Sequence, residues 1–167
     1  ILLYTIFHHS SVAAIPLMAL CRGLVFVVAY SAFSPPMPAE LGVFCGAIAM
    51  YTAILTFMGG AESKKCDGGA WIVWLTLIPA IIPIALYGSS SPIAWFAFGV
   101  YFVWIWIAWH AFISAKDNKV QGMHALLAGF ALLDCILIAS ISEYFIMIVS
   151  IICFALTVAA HRRILGT

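Results

Sequence analysis

Six apolar stretches, at residues 12–33, 41–58, 70–87, 93–115, 122–140 and 144–160, fill most of this chain and leave only short polar connectors between them. Each is close to the roughly 20 residues a helix needs to cross about 30 Å of hydrocarbon. The chain is 66% hydrophobic and 8% charged over 167 residues, too little polar surface to cover a water-soluble globule of that size. A lipid-facing barrel would need in/out alternation, and the run from Ala80 to Leu86, with apolar or proline residues at every position, lacks it. The expected fold is all-α: a polytopic transmembrane helical bundle of about six spans. Connectors such as Ser34-Pro-Pro-Met-Pro38 and Gly88-Ser-Ser-Ser-Pro92 cannot continue a helix, so they reverse the chain and make sequential spans neighbours. No internal repeat or long linker divides it, so residues 1–167 read as a single transmembrane domain.

Counting connectors by alternate sides puts Lys64, Lys65, Lys116, Lys119, Arg162 and Arg163 on one side, together with His8 and His9. The other side, at residues 34–40, 88–92 and 141–143, has no Lys or Arg. The positive-inside rule makes the basic side cytoplasmic, together with the C-terminus, and places the protein in the membrane as a multi-pass species in contact with lipids. Residues 1–7 are apolar and too short to cross, which reads as the tail of an earlier helix. The net charge of +1 gives no argument for nucleic acid as a partner. Five scattered cysteines lack the spacing of a zinc site or disulfide framework. Cys66 reads as a free thiol in a cytoplasmic connector.

Arg22 is the exception among seven basic residues, because it falls inside a span rather than between spans. A guanidinium near mid-membrane costs roughly 2.5–3.5 kcal/mol on insertion scales, so it faces protein, water or an anionic ligand. Asp134, in the fifth span, is its acidic counterpart, and is either protonated, exposed to a water-filled cavity, or paired with Arg22 to fix two helices. Thr52 and Thr56 lie one turn apart on a face leading to Glu62, Lys64 and Lys65 at the cytoplasmic mouth. The alternative for both threonines is a bond back to the carbonyl four residues earlier. Pro79 and Pro83 predict a kink in the third span. Gly42 with Gly46, and Gly122 with Ala125 and Gly129, form small faces suited to close helix packing. Trp104 and Trp106 are too central for the interfacial belt and face either lipid or a cavity.

The order of these pieces resembles the later part of the UbiA superfamily of intramembrane prenyltransferases, in particular its divergent UbiA-like branch. The resemblance rests on Leu2-Leu-Tyr4 followed by His8-His9, on Leu20-Cys-Arg-Gly-Leu24, on Tyr51-Thr-Ala-Ile-Leu-Thr-Phe-Met-Gly-Gly-Ala-Glu62, on Leu126-Leu-Ala-Gly-Phe-Ala-Leu-Leu-Asp134 and on Arg162-Arg-Ile-Leu-Gly-Thr167. It implies a longer bundle of about nine helices, of which this chain is the C-terminal part, with a cavity open to the cytoplasm. It also implies transfer of a polyprenyl group from a prenyl diphosphate to an acceptor, with Mg2+ as cofactor. In that reading Arg22 and Glu62 are catalytic, Glu62 also approaches the metal, and Tyr4, Thr52, Thr56, Lys64, Lys65 and Asp134 contact substrate.

Two departures from the family pattern count against catalysis. Thr56 stands near the position of a metal-binding aspartate, and a neutral hydroxyl is a poor ligand for magnesium. The His8-His9 pair stands where permanently charged residues are usual, and histidine is largely neutral near pH 7. They motivate a second reading: a catalytically silent UbiA-like protein that binds lipid or pigment, or serves as a structural subunit beside other membrane subunits. A third, a small transporter or channel, is motivated by Arg22, Asp134 and the proline-interrupted span. It lacks the inverted repeat or continuous polar path such a protein needs.

Overall fold

The computed structural model describes residues 11–32, 39–63, 67–114, 120–142 and 144–165. Those residues are helical apart from short turns, with no strand among them. Helix α1 runs Ser11–Ser31, α2 runs Ala39–Ser63, α3 runs Ile78–Pro83, α4 runs Pro92–Ser114, α5 runs Val120–Ser140 and α6 runs Tyr144–Leu165. Helix α3 is the middle of a composite third segment, preceded by a 3₁₀ stretch at Asp67–Leu77 and followed by a π turn at Ile84–Gly88. Four helical segments, Ala39–Gly59, Trp71–Gly88, Pro92–Ile113 and Gln121–Ser140, are long and apolar enough to cross a membrane. Shorter apolar segments lie at Ile15–Ala29 and Phe145–Ala160.

The composite third segment follows from its two prolines. Neither can donate a backbone hydrogen bond, and each ring crowds the carbonyl four residues earlier. In 3₁₀ register the carbonyl of Thr76 would bond the N–H of residue 79, which is a proline and has none. The hydroxyl of Tyr101, on α4, donates to that carbonyl instead, at 2.8 Å. Helix α4 starts cleanly by comparison. Ser91 caps it, its Oγ accepting from the N–H of Ala94 at 3.3 Å, with Pro92 at the first helical position where no donor is needed.

Helix α5 is the centre of the bundle. It packs along α4 and α6 and also touches α2 and the third segment, while α1 packs on α2. Tyr51, Tyr101, Ile105, Leu126, Leu133 and Ile136 are fully buried around it. Lipid tails are as apolar as leucine, so helix association in a bilayer rests on close packing and hydrogen bonds between helices. Two such bonds end on α5: Tyr51 donates to the Leu126 carbonyl at 2.6 Å, and Trp104 Nε1 to the Ala125 carbonyl at 2.7 Å.

The small-residue faces divide. A methyl group added at Gly122 would meet Phe112, and one at Gly129 would meet Tyr51, so both glycines serve close packing as expected. Gly42 and Gly46 are exposed with open space around them, and the expectation that they form a packing face fails among the described residues. The close approach of α1 to α2 uses Gly23, whose missing side chain would sit 3.3 Å from the Cys45 carbonyl oxygen. Trp104 is a packing residue, meeting Phe154 edge-on at 4.7 Å. Trp106 is half exposed and clusters with Trp74 and Trp109, with ring centroids 5.9 and 5.4 Å away.

Candidate functional site

The contact of Gly23 with α2 sets the rotation of α1. Arg22, one residue earlier, is turned about 100° around the helix from that contact. From there its guanidinium reaches across to α5 and lies 5.1 Å from the centroid of the Phe130 ring. Tyr51 also meets the Phe130 ring edge-on, with ring centroids 4.6 Å apart. Tyr51 is in turn fixed by its bond to Leu126, one turn before Phe130. Asp134 lies one turn beyond, so Leu126, Phe130 and Asp134 form one stripe along α5 facing α1 and α2.

Among the described residues no ion pair joins Arg22 to Asp134. The Arg22 charge acts on Asp134 through space, and Oδ1 of Asp134 is buried with no hydrogen-bond partner. The structure therefore brings these two predicted residues into one neighbourhood but does not close the direct pair between them. The cation rests instead over the Phe130 ring, a contact worth about 0.5–2 kcal/mol depending on how dry it is. The centre thus offers guanidinium donors beside a carboxylate oxygen with unused acceptor capacity. A polar group entering here can accept from Arg22 and donate to Asp134.

Thr52 and Thr56 take the plainer of their two expected roles. Thr52 Oγ1 donates to the Ile48 carbonyl at 2.7 Å, and Thr56 Oγ1 to the Thr52 carbonyl at 2.8 Å. Both hydroxyl protons are therefore used inside α2. Glu62 lies in the last turn of α2, but its side chain is outside the described residues, as are Tyr4, His8, His9, Lys64, Lys65 and Cys66 altogether.

Among the described residues no three His, Cys, Asp or Glu side chains converge as a metal site. The residues present at the centre do not fit magnesium by themselves. Asp134 contributes one carboxylate beside a permanent cation, and Thr56 is a neutral hydroxyl already turned to the backbone. Sequence reasoning found Arg22 and Asp134 but missed Phe130, Tyr51 and Gly23 as their supports. Phe130 was detectable, since it stands four residues before Asp134 and so shares its face.

No protein family, no curated protein and no solved structure matches the chain.

Proposed function

We propose that this chain is part of a UbiA-like membrane protein that binds a long-chain isoprenoid lipid, with the lipid's polar end near Arg22 and Asp134. The observation that carries the reading is the exposed mid-helix Arg22, set beside a buried carboxylate oxygen that has no partner. A cation in that position calls for an anionic or strongly polar companion. The prenyl diphosphate of a UbiA-like prenyltransferase is such a companion, and the sequence resemblance adds Glu62, in the last turn of α2, with Lys64 and Lys65 after it in the sequence. In the transferase form of the reading Arg22 holds the anionic end or the acceptor, and the apolar bundle excludes water from the developing allylic cation.

A second form is favoured by the hydroxyls of Thr52 and Thr56, which are turned to backbone carbonyls and not toward a ligand. In it the protein binds the isoprenoid or a pigment without transferring it, as a subunit beside other membrane proteins. Of the two, binding is what the geometry supports best. For topology we take six crossings, with the basic connectors and C-terminus in the cytoplasm.

The test uses the purified full-length protein in nanodiscs with a radiolabelled prenyl diphosphate, with and without magnesium. Saturable binding that weakens when Arg22→Leu is introduced, without product, supports the binding form. Magnesium-dependent prenyl transfer that Arg22→Leu abolishes supports the transferase. If neither binding nor turnover responds to Arg22→Leu, the assignment of this centre fails.

A further inference from the structure

Helices α4 and α6 both pack along α5 but hardly on each other. The gap between them is a groove of about 570 Å³, within the roughly 300–1,000 Å³ range of single-ligand sites. Leu132 of α5, 5% exposed, forms its floor, and Phe154 of α6 closes one wall against Trp104. The lining is apolar throughout, since the one indole N–H near its centre, that of Trp104, already donates to Ala125. Gly99 opens the lumen, for a methyl group added there would meet no atom within 4 Å.

We propose that this groove binds one acyl chain of a bilayer phospholipid, at a site separate from the Arg22–Asp134 centre. Leu132 lies two residues from both Phe130 and Asp134, about 200° around α5 from each, so the groove opens on the other side of the helix. The groove lining includes neither Arg22 nor Asp134. From Trp95 to Ile107 the groove extends twelve residues along α4, about 18 Å. That is a little more than half of a hydrocarbon core about 30 Å thick, or the depth of one leaflet. Its outer end lies at Trp95, whose Nε1 donates to the Ser89 carbonyl in the connector, an ordinary interfacial position for tryptophan. The exposed Ser89 and Ser90 beside that end carry no charge, which suits a zwitterionic headgroup. Phospholipid chains surround these helices at high concentration, so modest affinity is enough to fill the site.

The experiment reconstitutes the full-length protein in nanodiscs containing a phosphatidylcholine with a photoactivatable acyl chain, then maps the adducts by mass spectrometry. Label should concentrate on Val103, Ile107 and Phe154 severalfold over Phe145, Ile148 and Ile152, which face outward from α6 and sample bulk lipid. Gly99→Phe should cut groove labelling severalfold while leaving the outward face of α6 and the unfolding temperature unchanged. Val103→Trp serves as a second blocking variant if the first fails to fold. Even labelling of both faces, or labelling indifferent to both blocking variants, overturns the proposal. So does preferential labelling of the groove by a photoactivatable prenyl diphosphate.

Discussion

At the scale of single residues, the contact most open to test is the one beneath Arg22. Tyr51 carries the Phe130 ring on one side and reaches the α5 backbone on the other, and it can do so because residue 129 is glycine. A Cβ at that position would lie 2.5 Å from the Tyr51 hydroxyl oxygen. The tyrosine cannot swing away, since its hydroxyl is bonded to Leu126 and its ring is held against Phe130. Gly129→Ala should therefore destabilise the protein by about 1–3 kcal/mol, the usual range for overpacking a core. Tyr51→Phe alone loses one interhelical hydrogen bond, about 0.6 and at most roughly 1.7 kcal/mol. In the double variant the clash is relieved, so the total should fall well short of the sum, by roughly 0.5–3 kcal/mol of coupling. Reversible unfolding in mixed micelles measures all three, and strict additivity would show that Gly129 is not there for Tyr51. The same logic explains the Arg-Gly pair in α1. Gly23 determines where α1 touches α2, and that contact aims Arg22 at α5.

At the scale of elements, the positions of the helices were readable from apolar length and turn residues. The expected stretch at 93–115 is observed at Pro92–Ser114, where Ser91-Pro92 starts the helix, and that at 122–140 is observed at Val120–Ser140. What periodicity could not give was rotation, since segments apolar on nearly every side carry no mark of which side faces a neighbour. That is why Gly42 and Gly46 read as a packing face and are exposed, and why Arg22 reads as a direct partner of Asp134 while its guanidinium lies over Phe130. Around Pro79 and Pro83, where a kink is expected, the segment passes from 3₁₀ through α to π geometry. That passage ends at Gly88, where an added Cβ would lie 3.0 Å from Ser140 Cβ and 3.2 Å from both Ala94 Cβ and Ser140 Cα. Two of these are short side chains and one is backbone, so none can move aside cheaply. Gly88→Ala should cost about 1–3 kcal/mol. Gly46→Ala, in open space on α2, should change stability by no more than about 0.5 kcal/mol. Equal effects at the two positions, in the same unfolding assay, would contradict the packing of the π turn against the end of α5.

At the scale of the whole molecule, span count and orientation are linked, because every Lys and Arg outside the six apolar stretches lies on one side only if all six segments cross. The third segment is the critical one, since its proline-broken geometry makes a re-entrant loop the natural competitor to a full crossing. Its Trp71–Gly88 stretch of 18 residues is only just long enough as an α-helix, about 27 Å, and the 3₁₀ portion helps by rising about 2.0 Å per residue instead of 1.5. The segment is therefore long enough to cross with few residues, and a full crossing puts its two ends on opposite faces. Cys66 precedes it and Ser90, exposed in the following turn, comes after it. In sealed vesicles a charged, impermeant maleimide should react with Cys66 from the cytoplasmic side, and with an introduced Ser90→Cys from the opposite side. Cys153, exposed on α6 within its apolar stretch, should resist the charged reagent in the bilayer and react after detergent is added. Reaction of positions 66 and 90 from the same side would make the third segment re-entrant and break the alternation that puts the basic connectors together. It would leave the Arg22 centre intact, since α1, α2 and α5 build it without the third segment, but it would turn the α4–α6 groove toward the other leaflet.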